Sequence, residues 1–253
     1  MDPDDARPDV LIVGGLLTPP LGYRPLRRRL EARGARSVTI APVHAVDWLA
    51  AAFVGLGPLM TRTGLAIRRA HRLAGRRPLL VVGHSGGGVL ARLALSPEPY
   101  AGRRIAASDA VGCLVTLGTP HGLGGQPLRW RHAGAEAAAF LEQAAPPAAI
   151  PGTAFVTVGS DGVPAGAWET MPAALRLANL PYRLIVGPVG PEGGDGIVGT
   201  TLTRLDGATH LTLHEARHGT LGSPWYGDDR IVDQWWPVAL AAWRESVARR
   251  TSG

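Results

Sequence analysis

The chain has 253 residues, 45% of them hydrophobic and 18% charged, a balance that excludes a disordered protein. No stretch approaches the roughly 20 consecutive apolar residues that a membrane-spanning helix needs, so no membrane span is expected. The length is ordinary for one α/β domain with a single core. We therefore expect one domain over residues 9–249, preceded by a flexible N-terminus at residues 1–8.

The formal net charge of +6 comes from arginine alone, because the sequence contains no lysine. Arginine clusters fall in amphipathic stretches, where solvated helix faces are expected, so the charge predicts no nucleic-acid partner and at most peripheral contact with anionic lipid. The first nine residues, MDPDDARPD, lack the basic and then apolar order of a signal peptide, which predicts a cytoplasmic protein. Cys113 is the single cysteine, so an internal disulfide is excluded.

Short apolar runs alternate with amphipathic stretches, which predicts an α/β fold with a mostly parallel central sheet and helices on both faces. The strands are predicted at residues 9–17, 37–43, 78–84, 111–117, 152–159 and 209–214. The first four are nearly continuous in apolar residues and are expected to be buried on both faces. The helices are predicted at residues 23–33, 46–56, 60–74, 87–95 and 229–249. Residues 121–151 are expected to be an insertion that forms a lid or a cap on the core.

The strongest local signal is the segment LLVVGHSGGGVLARLAL, in which a buried-strand pattern runs into Gly83-His84-Ser85-Gly86-Gly87 and then into a helix pattern. This is the G-x-S-x-G spacing of a nucleophile elbow. The serine is exposed on such a sharp turn, and side chains at the flanking glycine positions would collide with the neighbouring elements. We therefore predict Ser85 as a catalytic nucleophile, with the following helix N-terminus aimed at a developing oxyanion.

A catalytic serine needs an acid and a base, which follow it along the chain in this type of site. His218 is the predicted base, because it follows a strand-like run and precedes a glycine, as a loop residue should. His210 and His214 are predicted on the polar face of that strand. For the acid, Asp195 in GGDGIVG and Asp161 in GSDGVP both lie on suitable loops, and spacing leaves the choice between them open.

An oxyanion hole needs two backbone N–H donors, one from the residue after the nucleophile and one from a loop after an early strand. Gly86 is predicted as the first. The run VLIVGGLLTPP ends a predicted strand in two glycines, so the amide of Gly15 or of Leu16 is predicted as the second. Gly15 and His84 are also expected at the substrate pocket. His121 is expected at the pocket edge or in a loop hydrogen bond.

Residues 214–218 read HEARH and match H-E-x-x-H, in which two histidines one helical turn apart hold zinc. The residues before this motif alternate as in a strand, and Gly219 and Pro224 follow it, so a helix is not expected there. We therefore predict no metal site, and no cofactor is implied.

The sequence resembles the α/β-hydrolase superfamily of lipases and esterases, most of all its small lipase-like members from cyanobacteria, plant plastids and related bacteria. The matching pieces are GHSGGGVLARLALSPEPY, LVTLGTPHG, GDGIVGTTL and HEARHGTLGSPWYG, followed by Trp235 and Trp236. In similar lipases a D-G-hydrophobic motif carries the triad acid, which corresponds to Asp195. Their H-G-hydrophobic oxyanion loop maps onto Gly14-Gly15-Leu16. The resemblance thus implies Leu16 as the donor and leaves open what supports a loop with glycine at position 14.

The resemblance implies a triad of Ser85, His218 and Asp195 that cleaves carboxylic esters of small molecules or lipids through an acyl-enzyme. Thioesterase, amidase and acyltransferase reactions on the same triad are the alternative chemistries. A catalytically inactive hydrolase-fold protein that binds a lipid or a partner protein is the alternative of another class. The intact set of three residues favours an enzyme.

Overall fold

A computed structural model describes residues 7–16, 18–125, 133–187, 189–219 and 224–251. Among these residues, six strands form one sheet in which every neighbouring pair is parallel. The strands are β1 (Asp9–Val13), β2 (Ser37–Ile40), β3 (Leu79–His84), β4 (Val111–Leu117), β5 (Ala154–Ser160) and β6 (Thr209–Leu213). Their order across the sheet is β2-β1-β3-β4-β5-β6. The six predicted strands and the α/β fold class are confirmed.

Helices connect the strands. The described α-helices are α1 (Arg24–Ala32), α2 (Ala45–Val54), α3 (Gly57–Leu73), α4 (Gly86–Leu95), α5 (Ala133–Ala144), α6 (Ala167–Thr170), α7 (Ala173–Val186) and α8 (Asp229–Thr251). The sequence pattern predicts α1, α2, α3, α4 and α8. Helix α5 lies in the predicted insertion, and α6 and α7 lie between β5 and β6. Helix α7 contains a proline at position 181, a residue that usually ends a helix, and this hides its apolar pattern. Pro237 lies inside α8, which runs across it as one helix.

The strands differ in how deeply they are buried. β1, β3 and β4 are buried on both faces, as their continuous apolar runs predict. The same expectation is wrong for β2, in which Ser37 and Thr39 are exposed while Val38 is buried. The physical reason is its place at the edge of the sheet, with a neighbouring strand on one side only.

The sheet separates two apolar cores, because successive strand residues point to opposite faces. Leu11 and Val81 belong to the core that the sheet shares with α3, α4 and α5. Ile12 and Val82 belong to the opposite core, with α1, α8 and its residue Trp235. The parallel arrangement brings the carboxyl ends of all strands to one side of the molecule, where ligand sites of such sheets lie. No helix of the described residues has the length and apolarity to cross a bilayer.

The described part of the predicted insertion is fastened to the core. Helix α5 packs on α4 and on the turn at residues 121–125. The buried guanidinium of Arg92, on α4, donates hydrogen bonds to the carbonyls of Leu141 and Ala145, where α5 ends, at 3.4 and 3.1 Å. A cation at a helix C-terminus is favourable because the last carbonyls carry partial negative charge. Residues 126–132 of the insertion lie outside the described residues, and its role as a lid or cap stays a prediction.

Candidate active site

Ser85 occupies a sharp turn between β3 and α4. Its backbone has φ of 53° and ψ of −131°, a conformation that residues other than glycine rarely adopt. Neighbouring backbone approaches the turn closely on both sides: a Cβ at Gly83 would strike Gly88, and a Cβ at Gly87 would strike the carbonyl of Val13. The packing of strand, turn and helix therefore requires glycine at the two outer positions of the G-x-S-x-G segment.

Three of the predicted residues form one line of hydrogen bonds. Oγ of Ser85 lies 2.9 Å from Nε2 of His218, and Nδ1 of His218 lies 2.8 Å from Oδ2 of Asp195. The histidine and the aspartate are buried. A carboxylate beside Nδ1 favours the proton on that nitrogen, so Nε2 of the neutral imidazole accepts from the serine hydroxyl. The arrangement can take a proton from Ser85.

The carboxylate of Asp195 accepts hydrogen bonds on both oxygens. Oδ1 accepts from the backbone N–H groups of Ile197 and Val198, at 3.0 and 2.7 Å. Oδ2 accepts from the hydroxyl of Tyr226 at 2.9 Å in addition to His218. Burial alone would raise the pKa of Asp195, but the charge of His218 and the hydrogen bonds outweigh it, so the pKa is lowered from its usual value. The carboxylate is held in its ionised form beside the imidazole.

Tyr226 is a residue of this site that sequence reasoning missed. Its hydroxyl is buried, and burial followed by the charge of Asp195 raises its pKa well above the usual value, so it stays a donor. Nε1 of Trp235 donates to the backbone carbonyl of Tyr226 at 2.9 Å and holds this loop on α8. Tyr226 lies inside the segment HEARHGTLGSPWYG, which is one of those that resemble lipases. That resemblance could therefore have drawn attention to this tyrosine.

An apolar cleft of about 440 Å³ opens at Ser85. Residues of α2, α4 and α5, of the turn after β4, and of the end of α7 and the segment after it surround the cleft. Its apolar lining includes Leu16, Trp48, Val89, Leu123, Val186 and Ile197. The hydroxyl of Ser85 therefore faces a space suited to a hydrocarbon group.

The two loops predicted to bind an oxyanion meet beside Ser85. Gly86 is the first residue of α4, so its N–H has no preceding helical turn to bond to. The N–H of Gly15 donates to the hydroxyl oxygen of Tyr23 at 2.9 Å. Leu16 lines the cleft. The assignment of Gly86 and of Gly15 or Leu16 as oxyanion donors stays a prediction.

Gly15, His84 and His121, which the sequence predicts at or near the pocket, are not among the residues that line this cleft. Gly15 lies beneath the serine, where a Cβ would come within 2.7 Å of Cβ of Ser85. His84 is buried behind His218, with their ring centroids 5.0 Å apart.

His121 has the alternative role that the sequence allowed, in a buried hydrogen-bond network. Its Nε2 lies 3.0 Å from the hydroxyl of Thr116, and its Nδ1 lies 3.1 Å from Nη1 of Arg92. Burial, and then the charge of Arg92, hold the pKa of His121 well below its usual value. This histidine is a neutral residue of the core under the cleft.

The competing candidates for acid and base pair with each other. Nδ1 of His214 lies 3.0 Å from Oδ1 of Asp161, near the surface. His210 lies on β6, as predicted, 2.7 Å from the hydroxyl of Thr157. Residues 214–218 have no helical conformation, so His214 and His218 do not share a helix face as the zinc motif requires. Among the described residues, no group of three His, Cys, Asp or Glu side chains is arranged to hold a metal ion.

The parallel sheet with helices on both faces, together with a serine on the turn after a central strand and an aspartate and a histidine on later loops, defines the α/β-hydrolase fold. Solved structures bear this out. The mature form of the lipase BlEst2 from Bacillus licheniformis matches 94% of this chain and 93% of its own, with a TM-score of 0.64 at 19% identity. The propeptide form of that lipase is longer, and the chain spans 51% of it.

Two further structures have the same fold. One belongs to the metagenome-derived lipolytic enzymes LipS and LipT and matches 92% of this chain and 93% of its own, with a TM-score of 0.56 at 12% identity. The other is the apo form of esterase 2 from Thermogutta terrifontis, which matches 94% and 83%, with a TM-score of 0.51 at 14% identity. No family model and no curated protein matches the sequence. At these identities the likeness establishes the fold.

Proposed function

We propose that this protein is a serine hydrolase that cleaves carboxylic esters, with Ser85 as nucleophile, His218 as general base and acid, and Asp195 as the carboxylate that orients the base. The observation that carries the proposal is the continuous line of hydrogen bonds from Ser85 to Asp195, which begins at an open cleft and ends at a buried carboxylate. A nucleophile, a base and an orienting carboxylate in this order are the components of acyl transfer.

In the first half of the proposed reaction, Oγ of Ser85 attacks the ester carbonyl carbon while its proton passes to Nε2 of His218. The ionised Asp195 stabilises the imidazolium that forms. The carbonyl oxygen becomes an oxyanion, which accepts hydrogen bonds from the amides of Gly86 and Leu16. When the tetrahedral intermediate collapses, the bond to the alcohol oxygen breaks and His218 gives its proton to the departing alkoxide. Ser85 is then acylated.

In the second half, a water molecule takes the place of the alcohol. His218 removes a proton from the water, whose oxygen attacks the acyl carbon, and the same two amides bind the second oxyanion. Collapse of this intermediate releases a carboxylic acid, and the proton on His218 returns to Ser85. No metal or organic cofactor takes part in the proposed reaction.

The cleft supports an ester with an apolar acyl group. Burial of hydrocarbon against its lining contributes about 25 cal/mol for each Å² removed from water. A charged or heavily hydroxylated group would lose its hydration there without gaining matching partners. Binding of an acyl chain would place the ester carbonyl at the mouth of the cleft, beside Ser85.

The proposal is tested by labelling with a fluorophosphonate probe and by turnover of p-nitrophenyl esters. We expect wild-type protein to react with both, and Ser85→Ala to lose labelling and to lower kcat by about a millionfold. Ser108→Ala is the matched control, because Ser108 precedes β4 at the opposite end of the sheet. It is expected to behave as wild type.

Three results would contradict the proposal. Labelling of a correctly folded Ser85→Ala variant would show that Ser85 is not the nucleophile. Ester turnover that a chelator abolishes while fluorophosphonate leaves it intact would indicate metal catalysis. A kcat/KM for matched thioesters or anilides above that for the oxygen ester would contradict the substrate class. The acyl-transfer mechanism would still stand.

A further inference from the structure

Tyr23 and His84 join the two sides of the proposed site through three hydrogen bonds. The N–H of Gly15 lies 2.9 Å from the hydroxyl oxygen of Tyr23, which lies 2.8 Å from Nδ1 of His84. Nε2 of His84 lies 3.0 Å from the backbone carbonyl oxygen of His218. One end of this chain of bonds is the predicted oxyanion loop, and the other end is the proposed base.

The chemistry of the two ends determines the direction of every bond. A backbone N–H only donates, so the oxygen of Tyr23 accepts from Gly15. A backbone carbonyl only accepts, so Nε2 of His84 carries the ring proton. Nδ1 of the neutral ring is then an acceptor, and the hydroxyl of Tyr23 donates to it. Burial and then the charge of His218 lower the pKa of His84 to about 3, which keeps the ring neutral near pH 7.

Aromatic packing holds both side chains in place. The ring of His84 lies within 5.0 to 6.2 Å, between centroids, of the rings of Tyr23, Trp225, Tyr226 and His218. Tyr23 is completely buried. Its ring also fills the space beside the oxyanion loop, where a Cβ at Gly14 would come within 2.6 Å of Cε2 of Tyr23. Glycine at position 14 and tyrosine at position 23 therefore fit one another.

We propose that Tyr23 and His84 are positioning residues that couple the oxyanion loop to the base, and that Tyr23 supports the loop in which position 14 is glycine. The proposal rests on the acyl-transfer function proposed above. The hydroxyl of Tyr23 holds the Gly15 amide, next to the predicted donor at Leu16. The oxyanion and the imidazolium of His218 develop charge in the same transition state. A fixed distance between their partners lowers that barrier without tightening substrate binding.

The first test reads the direction of the bonds directly, in wild-type protein. Nitrogen-15 NMR of the histidine side chains at pH 7 is expected to show His84 as a neutral ring with the proton on Nε2 and a bare Nδ1. The spectrum of His84→Phe identifies the signal, because that signal alone disappears. A proton on Nδ1, or a charged ring, would overturn the proposed chain of bonds. This readout requires neither activity nor a folded Tyr23 variant.

The second test removes only the hydroxyl of Tyr23. Displacement of reacting groups by about 1 Å costs about a hundredfold in rate, so we expect Tyr23→Phe to lower kcat by about 10- to 100-fold with little change in KM. Tyr100→Phe is the matched control, because Tyr100 packs on Phe140 and is remote from this network. A folded Tyr23→Phe with the kcat of wild type would refute the positioning role, as would a rise in KM alone.

The third test asks whether the two residues act as one unit. The substitutions Tyr23→Phe and His84→Phe are measured singly and together. Residues of one hydrogen-bond chain are coupled, so the double variant is expected to be about as slow as the slower single variant. Effects on kcat that multiply would mean independent roles and would overturn the coupling. Loss of ester turnover in wild type would instead refute the underlying function, which the Ser85→Ala comparison tests separately.

Discussion

Two aspartate–histidine pairs follow the last two strands of the sheet, and only one of them reaches Ser85. The distance from Nδ1 to the carboxylate is 2.8 Å for His218 and Asp195, and 3.0 Å for His214 and Asp161. The two histidines differ in exposure: the side chain of His218 is 5% exposed, and that of His214 is 82% exposed. A short aspartate–histidine contact is therefore not what distinguishes the candidate site.

What distinguishes it is the number of groups that hold the buried pair. An exposed ion pair contributes about 0–1 kcal/mol, since water screens it and competes for both partners. A buried carboxylate is tolerated only when hydrogen bonds satisfy its oxygens, and Asp195 has four donors from Ile197, Val198, Tyr226 and His218. The buried pair is thus rigid and oriented, which is the property that acyl transfer needs.

Within this comparison, the largest effect is expected to separate the two aspartates. Asp195→Asn keeps the shape of the side chain but favours the wrong imidazole tautomer, and this is expected to lower kcat by about 10⁴-fold. Asp161→Asn is the matched control and is expected to keep the wild-type kcat. Both are measured by p-nitrophenyl ester turnover. Equal losses in the two variants, or a larger loss in Asp161→Asn, would reverse the assignment of the acid.

A smaller effect on kcat is expected when the hydroxyl of Tyr226, a donor to Asp195, is removed. Tyr226→Phe removes a donor to a carboxylate, a bond worth about 1.5 kcal/mol or more, so kcat is expected to fall by about tenfold. Loss of the donor also raises the pKa of Asp195, so activity on the acid side of the pH profile is expected to disappear at a higher pH than in wild type. Tyr100→Phe serves again as control. A Tyr226→Phe enzyme with an unchanged pH profile would show that the backbone amides suffice.

The fold was largely predictable because its signals are local. Continuous apolar runs gave β1, β3 and β4, and a strand followed by G-x-S-x-G and a helix gave the turn at Ser85. The edge position of β2 was not predictable, since it depends on which strands are neighbours. Helix α7 was hidden by its proline.

The site was predictable only in part. Chain order and spacing predicted His218 as the base but did not decide between Asp195 and Asp161. The two aspartates differ in burial and in their hydrogen-bond donors, which spacing does not encode. Tyr23 contacts His84, 61 positions away, through its hydroxyl and its ring, and no pattern near it in the sequence indicates this. The buried positions of His84 and His121 likewise follow from the packing of segments distant in the chain.

The smallest effect concerns the free energy of unfolding at acidic pH, to which the buried His84 contributes. The pKa of His84 is lowered to about 3 by burial and then by the charge of His218, against an ordinary value of 6.5, and Asp195 opposes this shift. Between these two pH values the unfolded chain binds a proton that the folded protein does not. The contribution of His84 to stability is therefore greatest above pH 6.5 and falls by up to about 1.4 kcal/mol for each pH unit below.

Urea denaturation between pH 7 and pH 5 measures this slope. His121, whose pKa is also held well below its usual value, adds a second contribution of the same sign. His84→Phe is expected to have a shallower slope than wild type, whatever its stability at pH 7, because one of the histidines with a lowered pKa is gone. The control Tyr100→Phe is expected to keep the wild-type slope. Parallel pH profiles of wild type and His84→Phe would mean that His84 carries its proton in the folded protein, a state in which Nδ1 no longer accepts from Tyr23.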